Sequence, residues 1–148
     1  MRTVFNLDDR LTLARRIDTV AIDAAPRWGR MDFAQMLAHL SESVRMALGE
    51  LPVSGAGPKA LKLGPIRHAV IYWLPWPKGA PTAPELLVRR ATDCQAERVD
   101  LKHLLERLGA MEGAREWPEH PAFGRLNSRD WGALTHRHID HHLRQFGA

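Results

Sequence analysis

The segment Asn127–Gly147, NSRDWGALTHRHIDHHLRQFG, is the stretch on which the reading of the whole chain turns. Asn127 with Asp130 three residues on has the form of a helix N-cap, and Gly147 is a natural C-terminal stop. Wound at about 100° per residue, this helix places Trp131, Leu134, Thr135, His138, His142, Gln145 and Phe146 on one side. Ile139 and Leu143 flank that side, while His136, Arg137, Asp140 and Arg144 fall opposite, which predicts a solvent-facing His136. Trp131, Leu134 and Phe146 mark the first side as inward, so His138 and His142 sit in the middle of a stripe that should be buried.

Two histidines at i and i+4 are neighbours on one helix face. Burying both among apolar groups is costly unless each ring nitrogen has a partner, and a divalent metal would take one nitrogen from each. Two core histidines satisfied by backbone, carboxylate or water are the alternative. The pattern is not the zinc-protease HExxH, because Ile139 follows His138 and the glutamate base is missing. Asp140 points away from both rings. A catalytic site needs a third ligand and an open position. His39, His68, His103, His120 and His141 are the remaining histidines besides His136. By phase, His39 lies only at the edge of its helix's apolar stripe. His141 lies about 60° from His138 on the helical wheel, suited to the rim of a site.

The rest of the chain reads as three further helices and one long irregular connection. Asn6 opens NLDDRLTLARRIDTVAI, with Leu7, Leu11, Ala14 and Ile17 at helical spacing, and Pro26 ends that helix before Ala25. Asp32 with Gln35 forms a capping box for DFAQMLAHLSESVRMALG, whose stripe is Phe33, Met36, Leu37, Leu40, Val44, Ala47 and Leu48, with Gly49 as its stop. From Glu50 to Ala83, prolines and glycines (Pro81 among them) interrupt the chain around one candidate short helix, IRHAVIYWL. Such a connection suits a crossover between the second and third helices of a bundle. The third helix has its body from Thr92 to Leu108, with Cys94, Leu101, Leu105 and Leu108 on one side, and Thr82 with Glu85 offers an earlier start. No stretch alternates as a strand, so the class is all-α, in one domain over residues 1–148.

Composition narrows the function classes. With 148 residues, 45% apolar and 26% charged, the chain has the make-up of one globular domain, with no membrane-spanning run and no secretory leader expected. A lone cysteine, Cys94, rules out an internal disulfide and a CxxC site and fits a reducing cytoplasm. The net charge of +4 is spread over separated arginines mixed with acidic residues, which favours a solvated basic surface over a nucleic-acid footprint.

The motif HIDHHLRQ, of the form His-x-x-His-His-x-x-Gln, stands about a hundred residues after QMLAHL. Together with WGRM (Trp28–Met31) and HPAFGRLNSRDWGAL (His120–Leu134), it resembles the DinB-like (YfiT-type) superfamily of metalloenzymes, and more closely a subgroup described only as a domain of unknown function. The resemblance implies a four-helix bundle, often a homodimer, with a metal triad at His39, His138 and His142. It also implies a small-molecule substrate, since characterised relatives include thiol-dependent transferases and isomerases using low-molecular-weight thiols. Three neutral imidazoles suit zinc or nickel first, and iron or copper as well. No carboxylate beside the triad is evident, which disfavours hydrolysis and suits thiol chemistry. A non-catalytic, metal-stabilised bundle is the rival, with a basic nucleic-acid-binding module behind it. Gln145 and His141 are the candidate catalytic residues; Gln35 and Glu42 are candidate acceptors for His39, and Trp28, Trp117 and Trp131 candidate walls or core.

Overall fold

The computed structural model describes residues 1–55, 57–79 and 82–148. Pro81, counted above among the residues that break the long connection, lies outside them. Five helices form in the described residues, α1 Leu7–Thr19, α2 Phe33–Ala47, α3 Gly64–Tyr72, α4 Cys94–Gly109 and α5 Ser128–Gln145, with short 3-10 turns at Lys59–Lys62 and Pro84–Leu86. Among the described residues there is no strand, only an isolated bridge between His120 and Gly124. The class is all-α. None of the helices is long and apolar enough to cross a membrane.

The caps read from sequence set three of the helix starts. Asn6 accepts from the Asp9 amide, Asn127 from the Asp130 amide, and Asp32 and Gln35 form the full capping box of α2. The start of α4 differs by one residue. Asp93, rather than Thr92, accepts from the amides of Gln95 and Ala96. At the other proposed start, Glu85 accepts from the Ser54 amide instead, and the chain makes only a 3-10 turn there. The candidate short helix becomes α3, begun at Gly64 with Pro65 in its first turn, where a missing N–H costs nothing.

Helix α2 packs on α4 and α5, α1 packs on the same two, and α3 packs on α5. The core runs through Met36, Leu37 and Leu40 of α2, Leu101, Leu105 and Leu108 of α4, and Trp131 of α5. Two expectations fail here. Leu7 and Leu11 are 55% and 42% exposed, and α1 instead buries Leu13 with Ile17. In this rotation Leu13 and Ile17 enter the core, and two arginines reach the neighbouring helices: Arg10 pairs with Glu106 of α4 at 3.2 Å and Arg16 with Asp140 of α5 at 2.6 Å. The helix also stops at Thr19, before the Pro26 break. Buried Arg98 of α4 takes the carbonyls of Asp18 and Val20, which the helix would otherwise leave to its own continuation.

His136 is likewise not solvent-facing but buried. A wheel assigns one inward face, whereas α5 is enclosed by α1, α2 and α3. The N-terminal strap covers it further, with the Val4 amide donating to Gly132 O. That approach needs glycine, since a Cβ at Gly132 would lie 2.3 Å from Thr3 Oγ1 and 2.4 Å from the Phe5 ring.

The rotation of α1 is open to a direct test. Leu13→Ala removes a fully buried side chain and should cost about 2–5 kcal/mol in urea unfolding, while Leu11→Ala should stay within about 1 kcal/mol. The reverse order would restore the Leu7–Leu11 stripe.

Candidate metal centre

Where α2 meets α5, His39 faces His138 and His142. Each pair of rings has its centroids 4.9 Å apart. His39 Nε2 and His138 Nε2 are 2.9 Å apart, and one ligand nitrogen from each of the three residues lies within 4.8 Å of the others. His39, placed at an edge by its phase, is 2% exposed. The phase of α2 sees only the helices on either side. The Pro84–Leu86 turn, contributed by the long connection, also packs on α2, and Leu86 O accepts from His39 Nδ1 at 3.2 Å.

The hydrogen bonds settle which nitrogens face inward. Gln145 Nε2 donates to Trp28 O at 2.5 Å, so its Oε1 is the acceptor for His142 Nδ1–H at 2.8 Å. His39 likewise donates through Nδ1. A neutral imidazole carries one proton, so Nε2 of both His39 and His142 is a lone pair. His39 and His142 thus present lone pairs to the space they share with His138, with their outer N–H groups fixed on oxygen acceptors, which is how metal-ligating histidines are oriented. Burial strengthens this. Desolvation lowers His39 to a pKa of about 4, against a smaller raising effect from the Leu86 carbonyl. Desolvation, then repulsion from His39, takes His142 to about 3. Desolvation, then repulsion from His142 and from His39, holds His138 well below the ordinary range. The rings are neutral at pH 7, and the donor set fits a divalent cation that prefers nitrogen.

The expected acceptors on α2 are engaged elsewhere. Gln35 Oε1 accepts from the Asp32 amide at 3.0 Å, and Glu42 accepts from Arg89 at 2.8 Å. The amide of Gln145 is committed at both ends, so it positions His142 rather than presenting a free group. Gly29 makes room for it: at φ +81°, a Cβ there would come 2.5 Å from Gln145 Nε2. His141 is half-buried, edge-on to Trp28 at 5.7 Å and 5.4 Å from the His142 ring. Trp28 thus reaches the site through its carbonyl and its ring, while Trp117 stacks on Trp131 in the core.

Trp76 is the residue that sequence reasoning missed. Its ring lies 6.0 Å from those of both His138 and His141, and its N–H donates to Val70 O at 3.0 Å. A tryptophan flanked by prolines in a connection was the only available signal. His68 and His103 are exposed, and His120 sits against Trp131. Its Nδ1 accepts from the amides of Ala122 and Phe123 at 3.1 and 3.2 Å.

Fold and site together define an all-α protein whose cluster of three histidines, His39 and His142 buried and His138 part-buried, could hold a metal ion. The chain belongs to a family of proteins of unknown function, DUF1569, whose model matches residues 3–148. Of the resemblance read from the sequence, this match supports the part concerning a domain of unknown function. No curated protein and no solved structure matches the chain.

His120 gives a pH prediction independent of any metal. Desolvation lowers its pKa from 6.5 to about 4, so between these values the unfolded chain binds the extra proton and the folded one does not. Its contribution is therefore complete above pH 6.5 and lost as pH falls toward 4, by up to about 3 kcal/mol. Urea midpoints across this range should fall with acid, and less steeply in His120→Asn, whose amide oxygen can accept in place of Nδ1. An unchanged slope would place the titration elsewhere.

Proposed function

We propose that this protein is a divalent-metal-dependent enzyme of the DinB-like type, with His39, His138 and His142 as ligands and a small molecule, a low-molecular-weight thiol, as substrate. One observation carries the reading: three neutral imidazoles converge at one place, and two of them, His39 and His142, turn an Nε2 lone pair inward with their outer N–H groups anchored on Leu86 O and Gln145. Zinc or nickel is the favoured ion. Bound there, it would keep its full dipositive charge, supply Lewis acidity and favour the thiolate form of a thiol.

The chain's own residues would do the rest. Leu86 O and Gln145 hold His39 and His142 in one tautomer. Trp76 and His141 wall the approach on one side and restrict water. The cluster of possible ligands contains no carboxylate among the described residues. A reaction that needs no general base, such as thiol transfer, suits that surround better than hydrolysis does.

The packing of α1 on α4 and α5, and of α2 on the same pair, supports a four-helix bundle in which the connection from α2 to α4 is the crossover. Homodimer formation and a cytoplasmic location belong to the same reading, the latter suited to the free Cys94. Many of the basic residues are paired with carboxylates, Arg45, Arg89 and Arg107 among them, which supports leaving nucleic acid out.

Elemental mass spectrometry of untagged protein should find about one zinc or nickel ion per chain, lost in each of His39→Ala, His138→Ala and His142→Ala while circular dichroism stays helical. Protein without metal after reconstitution with both ions would overturn the proposal. In the cobalt-substituted protein, titration with a thiol should shift the visible spectrum. No shift would favour the non-catalytic alternative, an ion that only ties α2 to α5. Gln145→Ala, which frees His142, should weaken metal affinity roughly 10–100-fold by competition with a chelating dye.

A further inference from the structure

Beside the histidine cluster lies a cleft of about 240 Å³ with two tryptophans, Trp28 and Trp76, among its walls. It is smaller than a typical drug-sized pocket of roughly 300–1,000 Å³, so it suits a compact molecule. His141 lines it, and Trp76 is shared between it and the ring of His138. The cleft therefore runs along the wall of the candidate metal centre.

Its charge is uneven. Lys78, Arg137 and Arg144 line it, against one carboxylate, Asp140. Asp140 is already held by Arg16 at 2.6 Å, from outside the cleft, as well as by Arg144 at 2.9 Å. Arg144 can turn toward a ligand without leaving that carboxylate unpaired, and its side chain is 68% exposed. Arg137 is fixed. It donates to the carbonyls of Val70, Ile71 and Leu74 and lies 5.4 Å over Trp76, so its charge is a permanent part of the wall. Lys78 stands 4.8 Å over the Trp28 ring. Trp28 also carries a buried indole N–H with no acceptor among the described residues.

We infer that this cleft is the substrate-binding part of the centre and that it takes a small organic anion, with its acidic group at Lys78 and Arg144 and a flat or apolar body against Trp28 and Trp76. The inference rests on reading the histidine cluster as a metal-dependent centre, because only then does the cleft lead to reacting atoms. The mobile cations select the charge, and Arg137 and the indole faces select the body. Carboxylate and phosphate share this chemistry.

Calorimetric titration with benzoate, phenyl phosphate and neutral benzamide tests it, on preparations whose metal content is measured alongside. One or both anions should bind more tightly than benzamide, and the preference should weaken as salt rises. The stronger of the two identifies the acidic group. Lys78→Gln combined with Arg144→Gln should reduce anion affinity about tenfold and leave benzamide unchanged. Arg125→Gln, a fully solvated control, should change nothing. Equal binding of benzamide and the anions, no binding in folded protein, or an undiminished preference in the double variant would overturn the inference. Metal bound without anion preference sinks the cleft assignment alone. Anion preference without metal leaves a cleft that selects anions and sinks the reading of the cluster.

Discussion

The constraint on which the structure depends is the meeting of three imidazole rings inside the contact between α2 and α5. Placing His39, His138 and His142 there removes polar nitrogens from water, a cost that persists unless those nitrogens find partners. Two irregular segments are organised around that requirement. The 3-10 turn at Pro84–Leu86 brings a backbone carbonyl to His39, and the loop before α2 brings Trp28 O to Gln145, which in turn holds His142. Neither segment has a helix's own hydrogen-bond ladder to place it. Their positions relative to the core are tied to ligand rings, so the site and the loops specify each other.

Helix α5 carries a second layer of the same logic. Its side opposite the histidine stripe carries exposed Arg144 but also polar groups that tie the helix to its neighbours. Asp140 reaches Arg16 of α1, and Arg137 closes the end of α3 by taking three carbonyls. Burial and two arginine partners act on Asp140 in opposite directions, and the arginines win, holding its carboxyl below the usual range. The helix that supplies two of the three histidines is thus clamped on both sides. A ring at i and another at i+4 can hold a fixed separation only if the helix bearing them does not roll.

This division explains what the sequence made legible. Caps are local: Asn6, Asp32 and Asn127 each reach an amide three residues away, and each was readable from spacing. The face of α5 was readable because Trp131, Leu134 and Phe146 agree in phase. The face of α1 was not, because Leu7, Leu11, Leu13 and Ile17 are compatible with more than one rotation, and the one adopted also brings Arg10 and Arg16 to partners 96 and 124 residues away. His39 and His136 failed for one reason. Each is covered by a segment outside the helix packing that a wheel represents, the Leu86 turn in one case and the N-terminal strap in the other. Trp76 belongs to a connection with no periodicity to read at all. Only the resemblance of separated motifs, not phase, brought His39 to the other two rings.

Desolvation also bears on how such a site meets a cation. In water, an imidazole near neutral pH divides its time between a free lone pair and a proton, and every bound proton must leave before a metal can enter. Here burial holds His39 to about 4, and burial with repulsion from His39 holds His142 to about 3, so the proton is already absent across the neutral range. The outer N–H groups are committed to Leu86 O and Gln145, which fixes the tautomer that leaves Nε2 bare. These two rings therefore need neither deprotonation nor reorientation to act as donors. With no carboxylate in the cluster to neutralise an entering ion, the charge would stay where a substrate arriving along the Trp76 wall would meet it. A cleft whose charged lining is three cations against one carboxylate, placed beside a centre that would be positive when filled, then works in one direction: both favour a negatively charged partner.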